Sequence, residues 1–426
     1  MKFPINVKLN NNKLTAFPKN SHEVSKLVKF CNKKNINVIA IGGETNRVGG
    51  TNPYKNNKNI FIDLKFMNKI EEIDCDNMIC TAQSGVKLIE VQKKSNNKGL
   101  LFPVNIAPND KCTIGGNIST NVGGLQTLRY GNIEDHINGL EVVLSNGEII
   151  NFESKLKKDN FGPKLWKLFI GSEGIFGIIT KANLKLIPKK KYKTTFLIQI
   201  GSLIKAINLY KKIRNNHYDN LTSYEIIFPI PSSITFNNDS YNLILEVNSN
   251  DKENLSKELT KLSNKYKFKI NKIERNKLQS DIWKKREEIV YKQNQLNFNH
   301  KYDISLPLSN WPIFFKKINK FIIQNSFYTP YFFGHLGDGN LHCNFKIMDN
   351  DSTKKIKLSN FIFDLVIELN GSIAAEHGIG TQKSDLLKKY KTKEYYSFLK
   401  KLKKHLDTKS IMGRGKLLRL IIYFNL

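Results

Sequence analysis

Residues 36–50 read INVIAIGGETNRVGG, an apolar run that stops in a glycine loop. A stretch this short, rich in isoleucine and valine, fits a buried strand better than a helix. The preceding SHEVSKLVKFCNKKN (residues 21–35) spaces Val24, Leu27, Val28 and Cys31 three and four apart, the pattern of one helix face. Helix, strand and glycine loop together make one unit of alternating α/β structure. Gly42, Gly43, Gly49 and Gly50 lack a Cβ, so the backbone there can approach a ligand closely and aim consecutive N–H groups into one concavity.

Outward from this loop the pattern repeats. Strand-like IFIDL and ICTAQSG precede a helical VKLIEVQKKSNNKG, and INGLEVVLSNGEIINF folds as a hairpin about the Asn146-Gly147 turn. Three glycine clusters, 42–50, 115–124 and 171–177, each adjoin a strand. One such cluster alone is more often a tight turn. Three in one domain, with Thr45, Thr113, Asn117, Ser119 and Asn121 as extra donors, fit a large cofactor with a pyrophosphate. Neither GxGxxG nor a Walker A loop is present, which excludes the usual Rossmann and P-loop signatures. Near Pro188 the texture changes: strands such as TTFLIQI and LILEV alternate with lysine-rich helices, the mark of an α+β domain with an antiparallel sheet.

In that second domain stands FFGHLGDGNLHCNF, residues 332–345. Gly337 and Gly339 argue against a helix between His335 and His342, so GDGN is read as a hairpin turn with the two imidazoles on facing arms. Alternation puts His342 and Asn344 on one face and Cys343 on the other. Further on, AAEHGIG places Glu376 and His377 at a glycine turn. Each of these histidines singly is as easily a hydrogen-bonded structural residue. Two histidines and a carboxylate with an open position suit a catalytic divalent metal, zinc first, with manganese, cobalt or iron as alternatives.

Composition bounds the reading. With 426 residues the chain fits two domains, and 40% apolar with 25% charged residues fits a folded globular protein. The 68 Lys plus Arg against 37 Asp plus Glu give a formal charge of +31. The lysines are scattered, and no interleaved aromatic-basic motif appears, so no nucleic-acid partner is expected. The basic runs Lys189 to Lys193 and Lys388 to Lys404 leave a peripheral contact with an anionic membrane, or a redox partner, as open alternatives. The five cysteines form no CxxC pair and MKFPINVKLN has no apolar core, so reduced thiols and a cytoplasmic location, with the inner face of a membrane as the variant, are expected. The apolar LLRLIIYFNL at the C-terminus is read as a packed segment.

Residues 18–50, 113–149 and 171–180 resemble the pyrophosphate loop, flavin-contacting segment and adenine-side segment of vanillyl-alcohol-oxidase-type FAD-binding flavoproteins. The GHLGDGNLH and EHGIG pair resembles one branch of them, the FAD-linked D-2-hydroxyglutarate and D-lactate dehydrogenases and glycolate oxidase subunits. The resemblance implies an α+β fold, in which residues 1–188 bind FAD non-covalently between two subdomains. It further implies that 189–400 form a cap with an antiparallel sheet and helices, and that 401–426 return to the first domain. It implies flavin contacts from Gly42, Gly43, Glu44, Thr45, Asn46, Thr113, Gly116, Asn117, Ser119, Asn121 and Ile179. His335, His342 and Glu376 are implied as metal ligands, His377 as the base, and Arg286, Lys301 and Asn344 as substrate contacts. The implied reaction is oxidation of a D-2-hydroxy acid, D-2-hydroxyglutarate first, to the 2-oxo acid by hydride transfer to flavin. D-lactate and glycolate are the alternatives, an electron-transfer flavoprotein or quinone the acceptor, and a homodimer an open state.

Three departures from that pattern stand out. Glu44 brings a carboxylate to the pyrophosphate loop, which Arg47 or a lysine must offset; Val290 stands where dicarboxylate-using relatives often place a hydroxyl; Gly413-Arg414 replaces an Asn-Pro pair. Glu44 and Gly413-Arg414 motivate a competing reading, a degenerate flavoprotein kept for binding.

Overall fold

The computed structural model describes residues 2–54, 58–229, 239–250, 254–348 and 351–418. The end of the apolar C-terminal segment, 419–426, lies outside the described residues. The chain divides into two compact units. The first comprises Met1–Gly124, Asn132–Lys189 and Glu376–Leu426, the second Leu125–Gly131 and Lys190–Ala375.

Unit 1 holds two sheets. In the first, β1 (Val7–Asn10) and β2 (Lys13–Ala16) pair antiparallel. After helix α1 (Ser21–Lys34), β3 (Asn37–Ile41) and β4 (Asn59–Asp63) pair in parallel, giving the order β1-β2-β4-β3. The α1 start is fixed by the Asn20 side chain, which accepts from Glu23 N–H, and its end by Asn35 in the left-handed region at φ 53°. Its apolar face buries Val24, Leu27, Val28 and Cys31 completely. The second sheet has the order β5-β6-β10-β8-β9, all antiparallel. It is built from β5 (Ile70–Asp74), β6 (Ile79–Gln83), β8 (Ile137–Val143), β9 (Ile149–Asn151) and β10 (Ile178–Lys185). Between them run α2 (Leu88–Asn96), the two-residue β7 (Leu100–Leu101), which pairs with β11 (Ile187–Pro188), α3 (Ile114–Ser119), and α4 (Thr127–Tyr130), which falls in unit 2.

The C-terminal segment of unit 1 is held by buried charges. Lys403 donates to the carbonyl oxygens of Ile175 and Met412, both at 2.7 Å, and to Asp407, which accepts in turn from the N–H groups of Ile411 and Met412. Arg414 donates from its backbone to Asn37 at 3.0 Å and from its guanidinium to Asn35 and the carbonyls of Lys409 and Ser410. It thereby clamps the segment beside β3, where Met412 bridges Val38. The Gly413-Arg414 departure thus has a structural use.

Lys416 is 5% exposed and donates to the Glu173 carbonyl oxygen at 3.2 Å. Burial pushes its ammonium down to about 8, with the Glu173 carboxylate offsetting part of the effect. In the unfolded chain a lysine titrates near 10.4. Between these values the unfolded state holds more protons, so this lysine's contribution to stability grows as pH rises and is lost as pH falls through about 8. Lys416→Met should erase that term. In thermal melts from pH 7 to 10, the wild type is expected to gain stability relative to the variant as pH rises.

Unit 2 is one seven-stranded antiparallel sheet, β15-β12-β14-β13-β17-β18-β16. Its strands are β12 (Tyr192–Ile200), β13 (Leu221–Ile227), β14 (Tyr241–Ser249), β15 (Lys269–Ile273), β16 (His300–Ser305), β17 (Tyr328–His335) and β18 (Asn340–Ile347). The helices are α5 (Leu203–His217), α6 (Asn254–Tyr266), α7 (Asn276–Gln295), α8 (Trp311–Ile323) and α9 (Ser352–Glu368). Helix α7 positions the site. Its buried side chains Gln279, Ile282, Arg286, Ile289 and Gln293 recur at steps of three and four, so they line one face. Ile282 and Ile289 pack with Ile227, Ile244, Tyr331 and Phe333 of the sheet. Gln279, Arg286 and Gln293, two turns apart from each other, each hydrogen-bond into it.

Candidate active site

The GDGN segment turns as expected from its glycines. A single 3-10 turn, Leu336–Asp338, and Gly339 at φ 73° join β17 to β18, and a Cβ on Gly339 would stand 2.4 Å from the Leu306 carbonyl oxygen. The register pairs His335 with Asn340 and Phe333 with His342, so both imidazoles lie on one face of the sheet. Their ring centroids are 5.6 Å apart, and Phe333 packs against His342 at 4.8 Å. Cys343 is fully buried on the opposite face, where burial pushes its thiol well above the usual range. Asp303 of β16 pairs opposite His342 with an oxygen 3.8 Å from Nδ1.

Unit 2 ends at Ala375, whose N–H donates to the Asp303 carbonyl oxygen at 3.4 Å. Glu376, the next residue, begins the last stretch of unit 1. Within unit 2, His335 and His342 can thus each offer one imidazole nitrogen to a shared ion.

Arg286 is 6% exposed, with Phe333 at 4.6 Å from its guanidinium carbon. Its Nε and one terminal nitrogen donate to the same oxygen of Glu225, at 2.9 and 2.8 Å, while the other oxygen of Glu225 holds His335 Nδ1. Burial pushes the Glu225 carboxyl up, but His335 and Arg286 beside it outweigh burial and hold it below the ordinary value. Asn344 is buried and donates to Gln293 at 2.6 Å. Lys301 lies exposed opposite Asn344 in the register and donates to Asn294. Glu225 and Gln293 were not among the residues singled out by motif. A charged residue inside the continuously buried LTSYEII strand is the signal that finds Glu225.

In unit 1 the glycine loop leaves β3 beside the start of α3. A Cβ on Gly42 would stand 2.5 Å from Thr113 Oγ1, and one on Gly43 2.3 Å from the Lys111 carbonyl oxygen, so only glycine fits. Thr113 accepts from Gly116 N–H at 3.4 Å. Asn117 donates to the Cys112 sulfur, Asn121 accepts from Glu134 N–H, the Ser119 carbonyl accepts from Glu173 N–H at 2.7 Å, and the Ile179 carbonyl accepts from Ser84 at 2.6 Å. The Asn46 amide is occupied with the loop itself. Its oxygen accepts from Val48 and Gly50 N–H, and its nitrogen donates to the His377 carbonyl oxygen at 3.1 Å. Among the described residues, the N–H groups of Gly43, Glu44, Thr45 and Asn46 have no protein acceptor. A half-buried row of donors like this fits a pyrophosphate.

Glu44 sits in this row at φ 51°, with its side chain 48% exposed and 3.5 Å from Lys13. The compensating cation is therefore Lys13 of β2. Glu44→Asn keeps a residue that tolerates positive φ and removes the carboxylate. It should tighten FAD binding by at most about 1 kcal/mol, roughly five-fold in Kd, measured by flavin fluorescence titration.

The EHGIG turn is bound into the same unit. Glu173, 7% exposed, accepts from Ile379 N–H at 2.7 Å and Gly380 N–H at 2.8 Å. Thr381 N–H donates to the Val48 carbonyl, and a Cβ on Gly380 would meet that oxygen at 2.1 Å. The backbone carrying His377 is thus attached to the glycine loop through Asn46 and Val48.

Residues 13–153 match the FAD binding domain family and residues 223–417 the family of FAD linked oxidases, C-terminal domain. The glycolate oxidase subunit GlcD of Bacillus subtilis is 30% identical over 427 residues, 94% of this chain and 87% of that protein. The chain belongs to the FAD-linked oxidase family. The mitochondrial D-2-hydroxyglutarate dehydrogenase of Arabidopsis thaliana is 29% identical over 97% of this chain and 76% of its own length. The fold itself matches a solved alkyldihydroxyacetonephosphate synthase, with a TM-score of 0.72 at 18% identity over 94% of this chain and 75% of the other. As a member of this family the protein is an FAD-dependent oxidoreductase, and its α+β architecture is of the vanillyl-alcohol-oxidase type.

Proposed function

We propose that this protein oxidises a D-2-hydroxy acid to the 2-oxo acid, with D-2-hydroxyglutarate as the first substrate to test. The observation that carries the reading is the facing pair His335 and His342, set beside the buried Arg286–Glu225 pair in a chain of this family. Two imidazoles and a carboxylate suit zinc, and also manganese, cobalt or iron.

His335, His342 and Glu376 would hold the metal, which supplies a Lewis acid that lowers the pKa of a bound hydroxyl. FAD, when bound, supplies the two-electron acceptor. The remaining work belongs to the chain. Arg286 and Lys301 take the substrate carboxylate charge and fix its orientation, since effective positioning contributes as much as chemistry in such a reaction. His377, next in sequence to Glu376, receives the C2 hydroxyl proton. Its carbonyl oxygen is held by Asn46, which restrains the backbone that presents the ring.

Val290 favours a second reading. It packs with the apolar cluster on α7 instead of offering a hydroxyl, which suits a monocarboxylate such as D-lactate or glycolate. Anaerobic titration of the flavin absorbance with D- and L-2-hydroxy acids, before and after chelation, separates the two. Bleaching by D-2-hydroxyglutarate that is lost on chelation supports the first reading, and bleaching by D-lactate alone supports the second. If neither bleaches the flavin and chelation has no effect, both readings fail.

A further inference from the structure

We infer that Glu225 is a positioning residue that couples the carboxylate-binding cation to the metal ligand His335, and thereby sets metal affinity. The inference rests on the proposed metal site. Glu225 lies within β13, every residue of which is buried, and is itself 1% exposed. The register sets it directly opposite His335 on the neighbouring strand β17, so the two side chains share one face. One carboxylate oxygen takes His335 Nδ1 and the other takes Arg286 Nε at 2.9 Å and a terminal nitrogen at 2.8 Å. Both carboxylate oxygens are thus engaged, and a buried charge with only one of these partners would be poorly compensated.

Two consequences follow from hydrogen-bond chemistry. With Nδ1–H donating to a carboxylate, His335 is fixed in the tautomer whose Nε2 lone pair is available to a cation, and the negative charge makes that lone pair more basic. Arg286 spends two of its five N–H groups on Glu225 and is held in place by the Phe333 ring below it. A substrate carboxylate docked on Arg286 and a metal on His335 would therefore be connected through a single rigid side chain. Glu225→Gln is nearly isosteric and separates this role from simple packing. An amide that keeps its oxygen toward Arg286 must turn its NH2 toward His335 Nδ1, which makes that nitrogen an acceptor and moves the proton to Nε2.

The test measures bound metal as well as turnover. The purified FAD-loaded full chain is equilibrated with zinc or manganese buffered by a competing chelator, and metal per protein is read by mass spectrometry. Glu225→Gln is expected to weaken metal binding about 10- to 100-fold with flavin content unchanged. Glu225→Asp, which restores a carboxylate, should recover part of the loss. Trp283→Phe is the packing control, because Trp283 also lies on α7 but donates to Glu246 at 2.9 Å, so it should leave metal affinity as it was. If His335→Ala loses metal while Glu225→Gln binds as tightly as wild type, the role of Glu225 is overturned and the metal site stands. If the wild type itself takes up no metal, the metal site fails and this inference with it. Should Glu225→Gln fold poorly, the same comparison is made with Glu225→Met, which also removes the carboxylate and for which wild-type affinity would overturn the inference.

Discussion

His342→Ala is expected to lower turnover of the preferred 2-hydroxy acid by about a thousand-fold or more, while the protein keeps its flavin and its yellow colour. His342 projects from β18 with its ring 5.6 Å from that of His335. Its loss leaves one imidazole and one carboxylate, and two donors hold a divalent ion far less well than three. A metal that polarises the hydroxyl would take several kcal/mol off the barrier, a factor of about a thousand in rate. The flavin should stay, because the loop proposed to hold it belongs to unit 1 and is organised by Thr113, Asn46 and Val48. The hairpin should keep its shape, since Asn340 retains its own bond to Asp303 at 2.9 Å. His335→Ala is the less clean experiment, because it also strips Glu225 of a partner. The decisive measurements are steady-state turnover, bound metal and the flavin spectrum on one preparation. A variant that has lost its metal but turns over normally would remove the metal from the mechanism.

The parts of this molecule that were readable from residue order are those fixed by local spacing. Helix α1 follows from Val24, Leu27, Val28 and Cys31, β3 from its isoleucines and valine, and the hairpin from Gly337 and Gly339. The pairing of His335 and His342 follows from the same hairpin, because a two-residue side-chain period decides which residues share a face. What spacing cannot supply is the partner of a side chain from a distant strand or helix. Glu225 is 110 residues from His335 and 61 from Arg286, and only the β13–β17 register and the docking of α7 join them. Glu44 shows the same limit from the other side. A carboxylate in a loop proposed to hold a pyrophosphate looks like a defect until β2 is found to bring Lys13 to it. Arg414 likewise gains its use only from Asn35 and Asn37, at the other end of the chain.

Glu173 is the other residue whose loss should be severe, and it acts without being a metal ligand or the base. It sits in GSEG at φ 52°, a left-handed conformation that costs a glutamate about 1–2 kcal/mol and so has to be held by its surroundings. Those surroundings are Ile379 and Gly380, whose N–H groups it accepts two and three residues beyond His377. Burial pushes its carboxyl up, while those two N–H groups and the neighbouring Lys416 and Lys383 work in the opposite direction. Glu173→Ala would leave the buried Gly380 N–H unpaired at about 1–3 kcal/mol and the part-buried Ile379 N–H unpaired at less, so the turn should shift to find water or another acceptor. A displacement of about 1 Å at a proton acceptor is enough to cost on the order of a hundred-fold in rate. The expected result is a kcat lower by about that factor, with KM changed by less than about three-fold and metal content intact. Glu173→Gln keeps one acceptor oxygen and should fall between alanine and wild type. Global unfolding is distinguished by thermal melts of the same preparations, since a merely destabilised protein regains full kcat on cooling and a misplaced His377 does not. Wild-type kcat in a folded Glu173→Ala protein would show that the EHGIG turn holds its shape without this carboxylate.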